Sequence, residues 1–199
     1  MSPKADPGGD LSGYCVLVAV CGGIAAYKVC HVVSALVQRG ARVNVAMTEA
    51  GTRFVGEATF AALSGRPVLT SLWDRRAAAD PQHIRLTESA DLTLVAPATY
   101  NMIGKIATGL ADDLVSTLLS ATAGPVMLVP AMNSRMWEHP VLQANIARLG
   151  DLGYLVVGPA EGWLACRTVG PGRMVEPDQI LDAAAAQLRS SPPKAGPAR

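Results

Sequence analysis

The strongest constraint in this chain is the stretch Tyr14–Val20, which reads YCVLVAV and is followed at once by Cys21-Gly22-Gly23. An unbroken apolar run cannot alternate between a wet and a dry face, so it predicts a strand buried on both sides. Residues 24–39 then carry apolar side chains at helical spacing and stop at Gly40, a suitable C-terminal cap. The same succession recurs along the chain. Strands are predicted at 43–47, 92–96, 126–129 and 154–157, with Pro97 ending the third strand. Helices are predicted at 51–63, 102–119, 141–149 and 180–188. Strand–helix alternation with short connections predicts an α/β fold, a doubly wound parallel sheet covered on both faces.

Composition narrows the function classes. Half of the 199 residues are hydrophobic (50%) and 17% are charged, which suits one globular domain with a real core. A formal net charge of +1 leaves no electrostatic footprint for nucleic acid or an anionic membrane. Aromatic residues at 5% argue against stacking platforms. Cys15, Cys21, Cys30 and Cys166 form no CxxC pair, so neither a zinc site nor a disulfide framework is expected. Reduced thiols and a cytoplasmic location fit better. Residues 1–10 lack the apolar core of a signal peptide, and no apolar run approaches the roughly 20 residues that span a bilayer. Residues 1–12 and 190–199 read as flexible tails around a domain at 13–189.

Open parallel sheets bind ligands beyond the carboxyl ends of their strands, and the unusual residues lie there. Gly22-Gly23-Ile24 lets backbone approach a phosphate at a helix N-terminus, although a ligand-free tight turn explains it equally well. The segment is not GxGxxG, so a dinucleotide fingerprint is poorly supported. Thr48 suits either a phosphate contact or a helix cap. Thr99-Tyr100-Asn101-Met102, after the Pro97 strand, offers amides and an Asn side chain to a ring edge; Asn101 alone reads more readily as a cap. Asp112-Asp113 reads as a capping or subunit contact rather than an acid–base pair, because neighbouring helix residues point about 100° apart. Ala131-Met132-Asn133 with Met136 and Trp137 is hardest to explain as scaffold: an exposed amide can hold a carboxylate while Met and Trp exclude water. His83 is a candidate general base. His31 reads as surface or partner-facing, and His139 lies in a turn before Pro140. Residues 162–174, rich in Gly and Pro, predict a mobile loop or lid; it holds the thiol of Cys166, which spacing alone does not distinguish from an inert one.

Together these segments resemble the homo-oligomeric flavin-containing cysteine decarboxylases, which include phosphopantothenoylcysteine decarboxylase and the peptidyl-cysteine decarboxylases. The resemblance rests on Gly22-Gly23-Ile24-Ala25-Ala26-Tyr27-Lys28, Met47-Thr48-Glu49-Ala50, His83-Ile84, Ala96-Pro97-Ala98-Thr99-Tyr100-Asn101, Gly109-Leu110-Ala111-Asp112-Asp113-Leu114 and the Pro-Ala-Met-Asn-x-x-Met-Trp run from Pro130. It spans roughly residues 13–177 in the family's order. It implies a flavodoxin-like, Rossmann-like three-layer α/β/α fold. It also implies FMN rather than FAD at the interface of a trimer or dodecamer, with phosphate on Gly22, Gly23, Ile24 and Thr48. The flavin ring would meet Thr99, Tyr100, Asn101, Met102 and Ala131. His83 matches the family's essential histidine, Asn133 its substrate-carboxylate contact, and Cys166 the proton donor of the coenzyme A enzymes. Met132, Met136, Trp163, Leu164 and Ala165 would complete the substrate site.

The resemblance implies oxidation of a cysteine thiolate to a thioaldehyde, whose C=S group accepts the electrons left by departing CO2 and gives an enethiolate. Return of the hydride, with a proton from Cys166, would yield an aminothiol. Two departures stand out: Arg167-Thr168 replace the Gly and acidic residue usual beside Cys166, and the chain ends at Arg199 without the synthase domain usual in bacteria. Both lead toward the C-terminal cysteine of a ribosomal precursor peptide as substrate, with phosphopantothenoylcysteine as the alternative. A flavin prenyltransferase or a non-catalytic regulatory flavoprotein fits the motifs less well.

Overall fold

The computed structural model describes residues 9–73 and 82–194, with backbone alone at 82–84. In chain order the elements are β1 (Cys15–Val20), α1 (Ala26–Gln38), β2 (Arg42–Met47), α2 (Glu49–Thr52), α3 (Glu57–Ser64), β3 (Val68–Leu69), α4 (Gln82–Ser89), β4 (Leu92–Ala98), α5 (Tyr100–Thr108), α6 (Leu114–Ser120), β5 (Val126–Pro130), α7 (Ser134–Trp137), α8 (Pro140–Asp151), β6 (Leu155–Val156), β7 (Ala160–Trp163), β8 (Val169–Arg173) and α9 (Pro177–Arg189). Six strands pair in parallel in the order β3-β2-β1-β4-β5-β6.

Every residue of β1 is buried, as its apolar run requires, and alternate side chains feed two separate cores. Val16, Val18 and Val20 join Val29 and Leu36 of α1, Phe60 of α3 and Ile180 of α9. Leu17, Ala19 and Cys21 join Met102 and Ile103 of α5, Val115 of α6 and Leu149 of α8. Each fully buried Val or Leu contributes roughly 2 kcal/mol, so these two layers carry the fold. The result is the doubly wound parallel sheet that the strand–helix alternation predicted, in the flavodoxin-like, Rossmann-like three-layer sandwich that the resemblance implied. The chain winds outward from β1 to β3, then returns to β4 and winds the other way. A crevice therefore opens where β1 and β4 diverge, at their carboxyl ends.

Several boundaries differ from the sequence reading. The helix predicted at 102–119 is two helices, because Gly109 caps α5 in the left-handed conformation (φ 74°) and Asp113 starts α6 with a capping box to Ser116. The helix predicted at 51–63 is likewise split into α2 and α3, which restarts behind Gly56. Pro97 does not end its strand: β4 runs on to Ala98, which pairs with Pro130 across a register irregularity. The loop predicted at 162–174 is largely an antiparallel hairpin of β7 and β8.

The tail readings also need correction within the described residues. Leu11 is fully buried, its N–H donates to Arg39 O at 2.9 Å, and Asp10 pairs with both Arg39 and Arg189. The Arg39 hydrogen bond holds the Asp10 carboxyl well below the usual range against the opposing effect of burial, with Arg189 assisting. At the other end, Tyr14 Oη donates to Ser191 O at 3.0 Å, and Lys194 Nζ donates to Ala90 O at 2.7 Å. The buried Leu11 and the two ion pairs of Asp10 at one end, and hydrogen bonds at Ser191 and Lys194 at the other, seat these residues against the domain, which composition alone did not reveal.

Candidate active site

A cavity of about 1310 Å³ opens at the carboxyl ends of the central strands. Its wall contains Gly22, Gly23 and Ile24 from the β1–α1 turn, Thr48 after β2, and Thr99, Tyr100, Asn101 and Met102 after β4. Ala131, Met132, Asn133 and Met136 line it from the β5–α7 segment, and Trp163, Leu164, Ala165 and Cys166 from the β7–β8 hairpin. Five segments distant in sequence thus converge on one space. His83 falls in the first turn of α4, and its side chain lies outside the described residues.

Each segment is shaped locally. A Cβ at Gly22 would collide with Ala50, so only glycine lets the β1–α1 turn lie this close to the start of α2. The N-cap of α1 is Ala25, which makes no side-chain bond, so the first-turn N–H groups have no side-chain acceptor there. Thr48 caps α2 by accepting Gly51 N–H at 3.0 Å, and its own hydroxyl hydrogen remains to donate. The cap reading of Thr48 is therefore met, and its hydroxyl hydrogen stays free to meet a ligand in the cavity.

In the third segment the cap is Thr99, whose Oγ1 accepts Met102 N–H at 3.3 Å, and not Asn101. Asn101 is the second residue of the helix, exposed and on the cavity wall. Met102 reaches the cavity wall, but its side chain is 1% exposed and packs in the second core, so its part is structural. In the fourth segment Asn133 caps α7, with Oδ1 accepting Met136 N–H at 2.9 Å. Its amide nitrogen has no partner among the described residues.

The hairpin closes one side of the cavity. Met132 N–H donates to Gly172 O at 2.9 Å, tying β8 to the segment that carries Asn133. Leu164 is buried and anchors the hairpin turn, while Trp163 is 63% exposed. Arg173 and Lys28 both pair with Glu176, Lys28 at 3.0 Å. The Lys28 hydrogen bond holds the Glu176 carboxyl below its usual range, against burial and with Arg173 assisting.

Lys105 and Asp113 on the cavity wall, with Asp112, form a charge cluster that the sequence reading missed as a unit. Lys105 Nζ sits 2.6 Å from Asp112 Oδ1 and 2.6 Å from Asp113 Oδ2. Burial pushes the Asp113 carboxyl up, but Lys105 and the Ser116 amide and hydroxyl outweigh it and leave the group below its usual range. Burial likewise opposes the charge on Lys105, and the two carboxylates raise its pKa above the usual lysine value. The capping expected of the Asp112-Asp113 pair is met by Asp113. Cys21, also on the wall, is fully buried; burial, with Asp113 nearby, pushes its thiol up to about 12. His139 caps α8 and accepts from Val141 N–H at 3.3 Å, and His31 is exposed, 3.9 Å from Asp178.

Residues 5–189 match the flavoprotein family. The coenzyme A biosynthesis bifunctional protein CoaBC of Bacillus subtilis is 48% identical over 166 residues, which are 83% of this chain and 41% of that protein. The chain thus spans less than half the length of this relative. Among solved structures, a mutant PPC decarboxylase complexed with pantothenoylaminoethenethiol superimposes with a TM-score of 0.77 at 29% identity, covering 89% of this chain and 99% of the other. The FMN-dependent cysteine decarboxylase SpaF gives 0.78 at 28% identity, covering 90% and 98%. With its whole sheet and every described wall of the cavity inside the matched region, this chain belongs to the flavoprotein family.

Proposed function

We propose that this chain is an FMN-dependent decarboxylase of a molecule ending in a cysteine carboxylate, and that the molecule is phosphopantothenoylcysteine. The observation that carries the reading is the convergence of three chemistries on one cavity: an uncapped helix start beside Gly22 and Thr48, the amide of Asn133, and the thiol of Cys166. The 48% identity to CoaBC, against 28% to SpaF, favours the coenzyme A substrate over the C-terminal peptide cysteine put first by the sequence reading. Cys166 on the cavity wall supports the same choice.

The residues present fit FMN. Gly22 admits close backbone approach, and the Thr48 hydroxyl beside the positive end of α1 offers a donor to a phosphate monoester, although Ala26 N–H and Lys28 N–H turn back to Gly23 O and Ala25 O. Thr99, Tyr100, Asn101 and Ala131 would border the ring. When bound, FMN supplies the two-electron oxidation of the substrate's thiol-bearing carbon and the reverse reduction. The chain's own residues do the rest. Asn133 Nδ2 donates to the substrate carboxylate, while Met132, Met136, Trp163, Leu164 and Ala165 exclude water around it. Cys166 delivers a proton to the carbon that loses CO2, and His83 accepts the proton of the substrate thiol.

The exposed apolar residues Ile24, Tyr27, Phe54 and Met136 at the cavity suit cover by further copies of the chain, in a trimer or dodecamer that completes the FMN site. Among the described residues no helix is long and apolar enough to cross a membrane, and all four cysteines are free, which suits the reducing cytosol.

Two measurements test the reading. Purified protein should show a yellow flavin spectrum, and a colourless protein that takes up no FMN overturns it. Incubation with phosphopantothenoylcysteine should give a product lighter by about 44 Da, loss of CO2 alone, whereas release of an enethiol gives about 46 Da. Turnover of cysteine-ended peptides but not of phosphopantothenoylcysteine would return the peptide substrate to first place. His83→Asn should abolish both outcomes.

A further inference from the structure

Cys166 does not stand alone at the hairpin tip. Its Sγ lies 3.1 Å from Thr168 Oγ1. The turn between them is closed at both ends: Leu164 N–H donates to Thr168 O at 2.8 Å, and Arg167 N–H donates to Leu164 O at 2.9 Å. Arg167 takes a left-handed conformation (φ 65°), as in a three-residue hairpin loop that ends in a bulge. Leu164 is 6% exposed and fixes the turn to the domain. Cys166 belongs to the cavity wall and Thr168 does not, so the hydroxyl partners the thiol without being part of that wall.

We propose that Thr168 is the positioning residue for the Cys166 thiol, holding it for proton delivery and stabilising the thiolate that delivery leaves behind. The inference rests on the decarboxylase reading above. A threonine hydroxyl is both acceptor and donor. It accepts the S–H bond while Cys166 is a thiol and turns to donate its O–H once the sulfur is negative. In the step served, the Cys166 S–H bond breaks, and its electron pair stays on sulfur. The proton forms a C–H bond at the carbon that has lost CO2. The hydride removed earlier from the sulfur-bearing carbon returns to that carbon, so the net reaction is loss of CO2 alone. Water then reprotonates Cys166. If proton delivery lags, the enethiol escapes instead and oxygen serves as the oxidant.

The test compares Thr168→Val and Thr168→Ser with the wild-type holoenzyme in air-saturated buffer. The readouts are CO2 release and the ratio of enethiol to aminothiol by mass. Thr168→Val should raise the enethiol share of the product about tenfold, the effect of one hydrogen bond to a charged group. Thr168→Ser should restore the wild-type ratio. An unchanged ratio in Thr168→Val, or a serine variant that behaves like valine, overturns the proposal. A second readout needs no substrate. Iodoacetamide should alkylate Cys166 several-fold more slowly in Thr168→Val than in wild type, and equal rates overturn the pairing. A wild-type enzyme that releases no CO2 from phosphopantothenoylcysteine sinks the decarboxylase reading instead, while the alkylation comparison still decides the Cys166–Thr168 pairing.

Discussion

Asn133 Oδ1 accepts the Met136 N–H at 2.9 Å, which commits the carbonyl half of this amide to its own helix and leaves Nδ2 to face a ligand. Cap and recognition group are the same side chain, and they can be separated. Aspartate caps a helix as well as asparagine does but offers no N–H. Asn133→Asp should therefore keep its melting temperature, while kcat/KM for the cysteine carboxylate falls about 100-fold through one lost charged hydrogen bond and added repulsion. A variant with full activity would show that Asn133 does not hold the carboxylate.

The collision between a Cβ at Gly22 and the Ala50 side chain makes a second separable pair. Gly22→Ala should weaken FMN binding at least about tenfold, measured by flavin fluorescence during dialysis, because the turn must move away from α2. Adding Ala50→Gly should recover part of that loss but not all, since the Ala50 backbone also stands within 3.1 Å of the added carbon. Unchanged affinity in the single variant would place the phosphate elsewhere.

How much of this was legible in the sequence follows from where order resides. The β1–α1 unit was legible because Val16, Val18 and Val20 face one core and Leu17 and Ala19 the other, so no polar residue is tolerated between them. The residues that converge on the cavity were legible because parallel sheets leave odd residues such as Asn133 exposed at strand ends. Gly162, Gly170, Pro171 and Gly172 hid the β7–β8 hairpin, whose strands lack apolar alternation and are held by pairing and by the tie from Met132 to Gly172. The helix break at 109–113 was hidden because apolar spacing continues across it; capping decided the matter. Lys28 and Glu176 are 148 residues apart, and no local pattern announces their pairing. Lys105 stands eight residues before Asp113, across a helix break, and no helical spacing marks the two as a pair.

Asp113 ties acid stability to the cavity floor. Its folded carboxyl titrates below the unfolded value near 3.8, so its contribution is complete above that value and is lost as pH falls through the folded pKa. Asp113→Asn keeps the helix cap and removes the charge facing Lys105. At pH 7 the variant should unfold about 1 kcal/mol more easily in urea, a modest figure because the cluster is partly solvated. That gap should begin to narrow as pH falls below about 3.8 and vanish only once pH is below the folded pKa. A gap independent of pH would assign the loss to packing rather than to the Lys105 pair.

Arg167 is the one described non-glycine residue with positive φ. Its conformation is strained for any residue with a Cβ, whereas glycine adopts it freely at the cost of greater freedom in the unfolded chain. The two effects leave a net gain, so Arg167→Gly should stabilise the protein by about 0.5–1 kcal/mol, read as a small rise in melting temperature. A fall would mean that the Arg167 side chain makes compensating contacts of its own.

The four free thiols should separate by reactivity. Cys166 is exposed, Cys30 is half-buried with its pKa raised by burial, and Cys15 is buried with Asn44 Nδ2 donating to its sulfur at 3.4 Å. Cys21 is buried and pushed up to about 12, so at pH 8 roughly one molecule in ten thousand carries the thiolate. Iodoacetamide at pH 8 should therefore modify Cys166 first in the native protein and reach Cys21 only after denaturation, as peptide mass spectrometry would record. The order matters for function, because both sulfurs line one cavity and only a thiol that exchanges its proton readily can serve as the donor. If Cys21 were labelled in the native protein as fast as Cys166, the cavity floor would be open to solvent and the donor assignment would have to be shared between them.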